Sequence, residues 1–158
     1  MESKAKLLGH PIHQMLIVFP LGLLGASVVF DLIYRIADMP AMVEVAYWTM
    51  AGGLIGGIIA APFGTIDWLA IPKGTRAKTV GMLHGGGNVL VLLLFLASWL
   101  ARRANESHIT TAATAMAIAG LALSLVTAWL GGELVDRLAI GVSDGANVDA
   151  PSSLRQHR

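Results

Sequence analysis

The sequence predicts an all-α protein, a transmembrane four-helix up-down bundle, on three observations. Hydrophobic residues make up 55% of the 158 and charged residues only 13%, about half the share that coats an ordinary soluble domain. Four apolar runs of bilayer length follow one another, and the mean hydropathy is +0.68. The connections between the runs are short, which favours antiparallel neighbours.

The spans read at roughly 13–34, 45–66, 80–100 and 109–130. Pro11 suits a first helical turn, Asp38 with Pro40 marks a turn, and Thr79 and Ser107 suit the caps of the third and fourth helices. The first run is too long for a signal peptide and lacks a small-residue cleavage site, so it reads as a retained span. Residues 1–140 form the transmembrane domain; from Gly141 the chain turns polar, and 141–158 is expected to be a disordered tail.

An even number of spans places both termini and the loop between spans two and three on one side. That side carries Lys4, Lys6, Lys73, Arg76, Lys78, Arg137, Arg155 and Arg158, against Arg35, Arg102 and Arg103 on the other. The positive-inside rule then puts the termini in the cytoplasm.

Several function classes are excluded at once. A net charge of +1 leaves no footprint for nucleic acid. The absence of cysteine removes disulfides, thiolate metal sites, iron–sulfur ligation and cysteine nucleophiles. The run Gly85-Gly86-Gly87 lacks the lysine and the strand-to-helix context that phosphate binding needs. No nucleophile stands with a paired base, so no residue is assigned a catalytic role.

Small residues dominate the second span. Gly52, Gly53, Gly56 and Gly57 form overlapping small-xxx-small pairs, which let helices approach closely in lipid. Packing within the chain is the plainer reading; a face for a homo-oligomer is the other. Trp48, Trp68, Trp99 and Trp129 fall near span ends, where indoles anchor at the headgroups.

The polar residues carry the functional signal. His10 and His13 begin span one, Asp67 ends span two, His84 begins span three, and Glu133 and Asp136 follow span four. In an up-down bundle all lie at one membrane face. Imidazole supplies nitrogen ligands and carboxylate balances a divalent charge, so His10, His13, Asp67, His84 and Glu133 are candidate ligands for a transition metal of the Zn, Fe or Cu class. Thr65, Asn88 and Asp136 are candidates to orient them. Haem b is the alternative cofactor, with His13 and His84 as axial ligands and Gly85 to Gly87 clearing room for the macrocycle.

Other readings compete for these residues. His10 and His13 also suit headgroup contacts, Asp67 a loop turn, and Glu133 a helix-surface pair with Arg137. Asp31 is expected to pair with Arg35 one turn on. A proton or cation relay through His13, His84, Asp67 and Glu133 would make the chain a transporter or channel subunit, with a break at Pro20 or Pro62. A scaffold whose polar groups lock the helices is the third class. Lipid is the one partner required in every case.

The segment Gly9-His10-Pro11-Ile12-His13-Gln14-Met15-Leu16 with Phe19-Pro20-Leu21-Gly22 resembles the opening motif of domain of unknown function 2231 (DUF2231). Asp67-Trp68, His84 with Asn88, and Trp129 to Val135 are similar to its later motifs, so the resemblance covers all four spans. It implies a four-span protein of the bacterial inner membrane. Fusion of some members to Rieske-type domains implies redox surroundings and a redox partner. Asp136-Arg137-Leu138 stands where a Tyr-Arg-His sequence is common, so a further histidine is missing here.

Overall fold

A computed structural model describes residues 1–103 and 109–155. The chain opens with a hairpin of β1 (Lys6–Leu7) and β2 (His10–Pro11), followed by α1 (Ile12–Leu16) and α2 (Val18–Ala37). Then come α3 (Ala41–Ala70), α4 (Arg76–Arg103) and α5 (Thr111–Gly132), which ends in a π turn at Glu133–Arg137. With α1 and α2 counted as one span, four helical stretches are long and apolar enough to cross a membrane. Only 22% of the most apolar part of each of the first three is buried inside the bundle. The apolar side chains that remain outside, Ile36, Ile58, Leu93 and Leu125 among them, need lipid rather than water as their solvent.

The predicted spans match the helices with ends shifted by a few residues. Asp38, in the left-handed region, ends α2, and Pro40 caps α3. Pro11 lies not in a first helical turn but just before α1, paired in the hairpin with Lys6. The hairpin turn is Leu8-Gly9, both at positive φ, a conformation that glycine adopts freely and that matches the twist of the strands. Thr75, not Thr79, caps α4 by accepting from the Lys78 amide at 3.1 Å. Ser107 lies outside the described residues; the Thr110 hydroxyl accepts from Ala113 N at 3.2 Å and caps α5. Pro62 sits inside continuous α3 and breaks nothing, whereas Pro20 lies in the first turn of α2, just after the interruption at Ile17 that separates α1 from α2.

The helices associate as hairpins, α2 on α3 and α4 on α5, around Leu24, Val28, Met50, Leu54, Val91, Phe95 and Ala117. The glycines of α3 are consumed by this packing. A β-carbon at Gly52 would stand 3.2 Å from Leu23, at Gly53 2.7 Å from Leu24, at Gly56 3.0 Å from Phe19 and at Gly57 2.6 Å from Leu92. The close approach expected of them is therefore made within the chain.

Asp31 does not pair with Arg35. It is fully buried and meets Arg102 of α4 through two hydrogen bonds of 2.7 and 2.5 Å. Arg35 donates instead to the Thr114 hydroxyl and the Ile109 carbonyl. A buried carboxylate needs the planar, bidentate guanidinium that a facing helix can aim at it.

The two chain ends meet at the other end of the bundle. The Met1 ammonium donates to the Ala139 carbonyl at 2.8 Å, and Gly141 N donates to the Met1 carbonyl at 2.9 Å. Asp144 N reaches Glu2, and the Ser153 hydroxyl donates to the Leu8 carbonyl. Lys6 also bonds Glu2 and, together with the Asp144 amide, holds that carboxyl below the usual carboxylate range. Residues 141–155 thus lie along the N-terminal hairpin.

Candidate functional site

Two histidines meet at the end of the bundle where the termini lie. The hairpin delivers the first: Ile12 N donates to the Ala5 carbonyl at 2.9 Å, which fixes the start of α1 and hence His13. Nδ1 of His13 is 3.0 Å from the Ala60 carbonyl of α3. Its ring lies against Gly64, where a β-carbon would stand 2.8 Å from Cε1. His84, one turn after the start of α4's buried face, places Nδ1 2.8 Å from the Thr127 carbonyl of α5, with its ring against Gly131, where a β-carbon would stand 3.1 Å from Cε1.

Those contacts decide the tautomers. A carbonyl oxygen only accepts, so both Nδ1 atoms carry a proton, and the neutral tautomer this selects has its lone pair on Nε2. Asn88 Nδ2 donates to Nε2 of His84 at 3.2 Å, while its Oδ1 accepts from the Thr127 hydroxyl at 2.8 Å. The two ring centres are 6.4 Å apart and the planes nearly perpendicular, at 88°.

The remaining expected ligands are held elsewhere. His10 is exposed in the hairpin, with Nε2 3.4 Å from the Ser153 hydroxyl, because β2 rather than a helix carries it. Asp67 accepts from the Ser3 hydroxyl at 2.7 and 2.9 Å and from Lys4 N at 2.7 Å, so its charge fastens the N-terminal segment. Glu133 pairs with Arg76, at 2.6 Å, and not with Arg137. Thr65 is exposed and bonds the Ala61 carbonyl of its own helix, and Asp136 is exposed in the π turn. Of the proposed orienting residues, only Asn88 touches a histidine. Among the described residues no three His, Cys, Asp or Glu side chains converge on a point that could hold a metal ion.

The glycine run expected to admit a macrocycle faces elsewhere as well. Gly85 and Gly86 are exposed on the outside of α4, and Gly87 lies against the Thr127 methyl, where a β-carbon would stand 2.6 Å away. Trp68 and Lys78 clamp the α3–α4 turn, indole N–H to the Lys78 carbonyl at 3.1 Å and ammonium over the ring at 4.1 Å. Sequence reasoning missed Ser3 and Arg76 as the partners of the two carboxylates. Neither residue has a helical register relation to its acid, so no spacing signal exists for them.

Removing the Asp67 carboxylate tests the fastening directly. A charge-assisted hydrogen bond contributes about 1.5–3 kcal/mol, so Asp67→Ala should raise local opening of residues 3–6 by about tenfold or more. Tryptic cleavage after Lys4 and Lys6 would accelerate accordingly. An unchanged rate would mean that the segment is held by other contacts.

Four apolar helices that enclose a polar pair at one end define an integral membrane protein. The chain belongs to the family described as predicted membrane protein (DUF2231), whose model matches residues 9–144. Neither the curated proteins nor the solved structures give a match.

Proposed function

We propose that His13 and His84 form a two-imidazole centre for a transition metal of the Zn, Fe or Cu class, at the cytoplasmic edge of the bacterial inner membrane. The observation that carries this reading is the shared anchoring of the rings. Ligating histidines characteristically donate their second ring N–H to a carbonyl or carboxylate, which orients the ring and raises the basicity of the other nitrogen. Both imidazoles are held this way by main-chain carbonyls. With metal–nitrogen bonds of about 2.0 Å and about 1.1 Å from ring nitrogen to ring centre, two imidazoles bound to one ion in a line have centres about 6.2 Å apart; the ring centres are 6.4 Å apart. Eight basic residues at the terminal side against three at the other support the cytoplasmic assignment.

A redox-active ion at this depth supports electron transfer with a partner at the same face. Haem fits less well, because Gly85 and Gly86 face outward and Gly64 and Gly131 press directly on the rings. A conducting path through the chain is not favoured, since the middle of the bundle is filled by Leu24, Val28, Val91 and Phe95.

Elemental analysis and an absorption spectrum of the gently purified protein test the reading. Stoichiometric metal in wild type, lost in His13→Ala and in His84→Ala and without a Soret band, is the expected result. A Soret band would select haem. No metal in wild type, with both variants merely less heat-stable, would leave the histidines as an interhelical lock.

A further inference from the structure

The two hairpins repeat one another. A shift of 71 residues carries α2 onto α4 and matches His13 with His84, Ala26 with Ala97 and Ser27 with Ser98. A shift of 67 carries α3 onto α5 and matches Ala46 with Ala113, Gly53 with Gly120 and Gly64 with Gly131.

The contacts obey the same shifts. His13 bonds Ala60 and lies on Gly64 as His84 bonds Thr127 and lies on Gly131. Leu24 fills the space over Gly53 as Phe95 fills that over Gly120. Ser27 with Ser98, and Ala46 with Ala113, are buried completely in both halves.

Because α2 and α4 run in the same direction, the operation relating the halves is a two-fold rotation about an axis along the bundle. A residue touches its own mate only beside such an axis. His13 with His84 is one self-paired position, and Asp31 with Arg102 is another. They lie eighteen residues apart along each helix, about 27 Å, one at each end of the axis.

This symmetry narrows what the histidine centre can take. We propose that it binds one monovalent copper ion, Cu(I), two-coordinate between Nε2 of His13 and Nε2 of His84, an inference that rests on the metal-centre reading above. The axis supplies two symmetry-related nitrogen ligands, and among the described residues no third His, Cys, Asp or Glu side chain joins them. Zinc in proteins is almost always four-coordinate, with at least three protein ligands. Two imidazoles suffice for linear Cu(I), in which the ring centres would stand about as far apart as the 6.4 Å found here, and imidazole is a good copper ligand.

Charge points the same way. Asp67 and Glu133 are engaged by Ser3 and Arg76, so neither is placed to neutralise an ion between the rings. The cost of burying an ion rises with the square of its charge, which penalises a divalent cation about fourfold more than a monovalent one.

The halves differ at two positions of the site. Asn88 and Thr127 replace Ile17 and Ala60 of the first half, and Asn88 occupies the His84 lone pair. Loading therefore exchanges the Asn88 bond for the metal bond, and Asn88 acts as a latch on one ligand.

Titration of the full-length detergent-solubilised protein with Cu(I), kept reduced by ascorbate and competed by bicinchoninate, tests this. One ion per chain is expected, with affinity at least tenfold lower in His13→Gln and in His84→Gln and higher in Asn88→Ala. Zn(II) should bind at least tenfold more weakly, and Ag(I) should compete. X-ray absorption of the wild-type copper form needs no variant, and should show two nitrogen ligands at one distance. Preferential zinc binding through both histidines, or three or more copper ligands, would overturn the Cu(I) assignment while leaving the metal centre standing. Failure to bind any of these ions would overturn both.

Discussion

Arg102→Ala should destabilise the protein by about 3–5 kcal/mol, the cost of leaving a buried carboxylate without its partner. Asp31 is fully buried, and its oxygens are bound to the two Nη atoms of Arg102, one of which also donates to the Ser98 hydroxyl at 3.2 Å. Reaching water would require the α2–α4 contact to open. Thermal unfolding in mild detergent checks the magnitude. The pair itself contributes less than either truncation costs, because desolvating two ions offsets much of their attraction. Asp31→Leu combined with Arg102→Leu should therefore recover at least half of the loss. The internal symmetry adds a sharper outcome: exchanging the two residues, Asp31→Arg with Arg102→Asp, should be better tolerated than either single reversal, since each site is the mate of the other. If the exchange is no better than the singles, the two-fold relation does not extend to this end of the bundle.

Gly53→Leu should be the next most damaging change, with Gly120→Leu beside it. Even the β-carbon at Gly53 would lie 2.7 Å from Leu24 Cγ and 3.0 Å from the Leu24 backbone nitrogen. A side chain can rotate away; the backbone cannot, so α2 and α3 must separate. At Gly120 the obstacle is the ring of Phe95, at 2.8 Å. Overpacking a full core costs about 1–3 kcal/mol, and a leucine at either position should reach or exceed the upper figure. The control is Gly22→Leu, where nothing lies within 4 Å of the added atom; it should leave the melting temperature nearly unchanged. Equal losses at Gly22 and Gly53 would show that the effect is helix propensity and not contact.

The histidine pair shows how far spacing can be read. His13 and His84 were legible as residues at the same depth on diagonal spans, and Asn88 was legible as a neighbour of His84 at one helical turn. His10 was not, because a spacing of three marks a shared face only within one helix, and His10 lies in β2, before α1 begins at Ile12. Asp67 and Glu133 shared the right depth as well, but depth leaves the azimuth of a side chain open. The segment at Ser3 and Lys4 and an interhelical arginine claimed them, and neither has a periodicity that a sequence displays. Asp31 and Arg35, four apart, satisfied the local rule for an ion pair and still chose distant partners. A buried carboxylate gains more from a bidentate guanidinium across the bundle than from an exposed neighbour on its own helix.

By itself the sequence determined the class, the number of spans and their alternation. These follow from the amount and period of apolar residues, and lipid leaves a chain no other way to satisfy its backbone. Only the tertiary structure decided which polar groups meet. Two hairpins packed about a common axis bring each residue beside its mate or keep it away according to its distance from that axis. That is a property of the assembled helices, and no single span contains it.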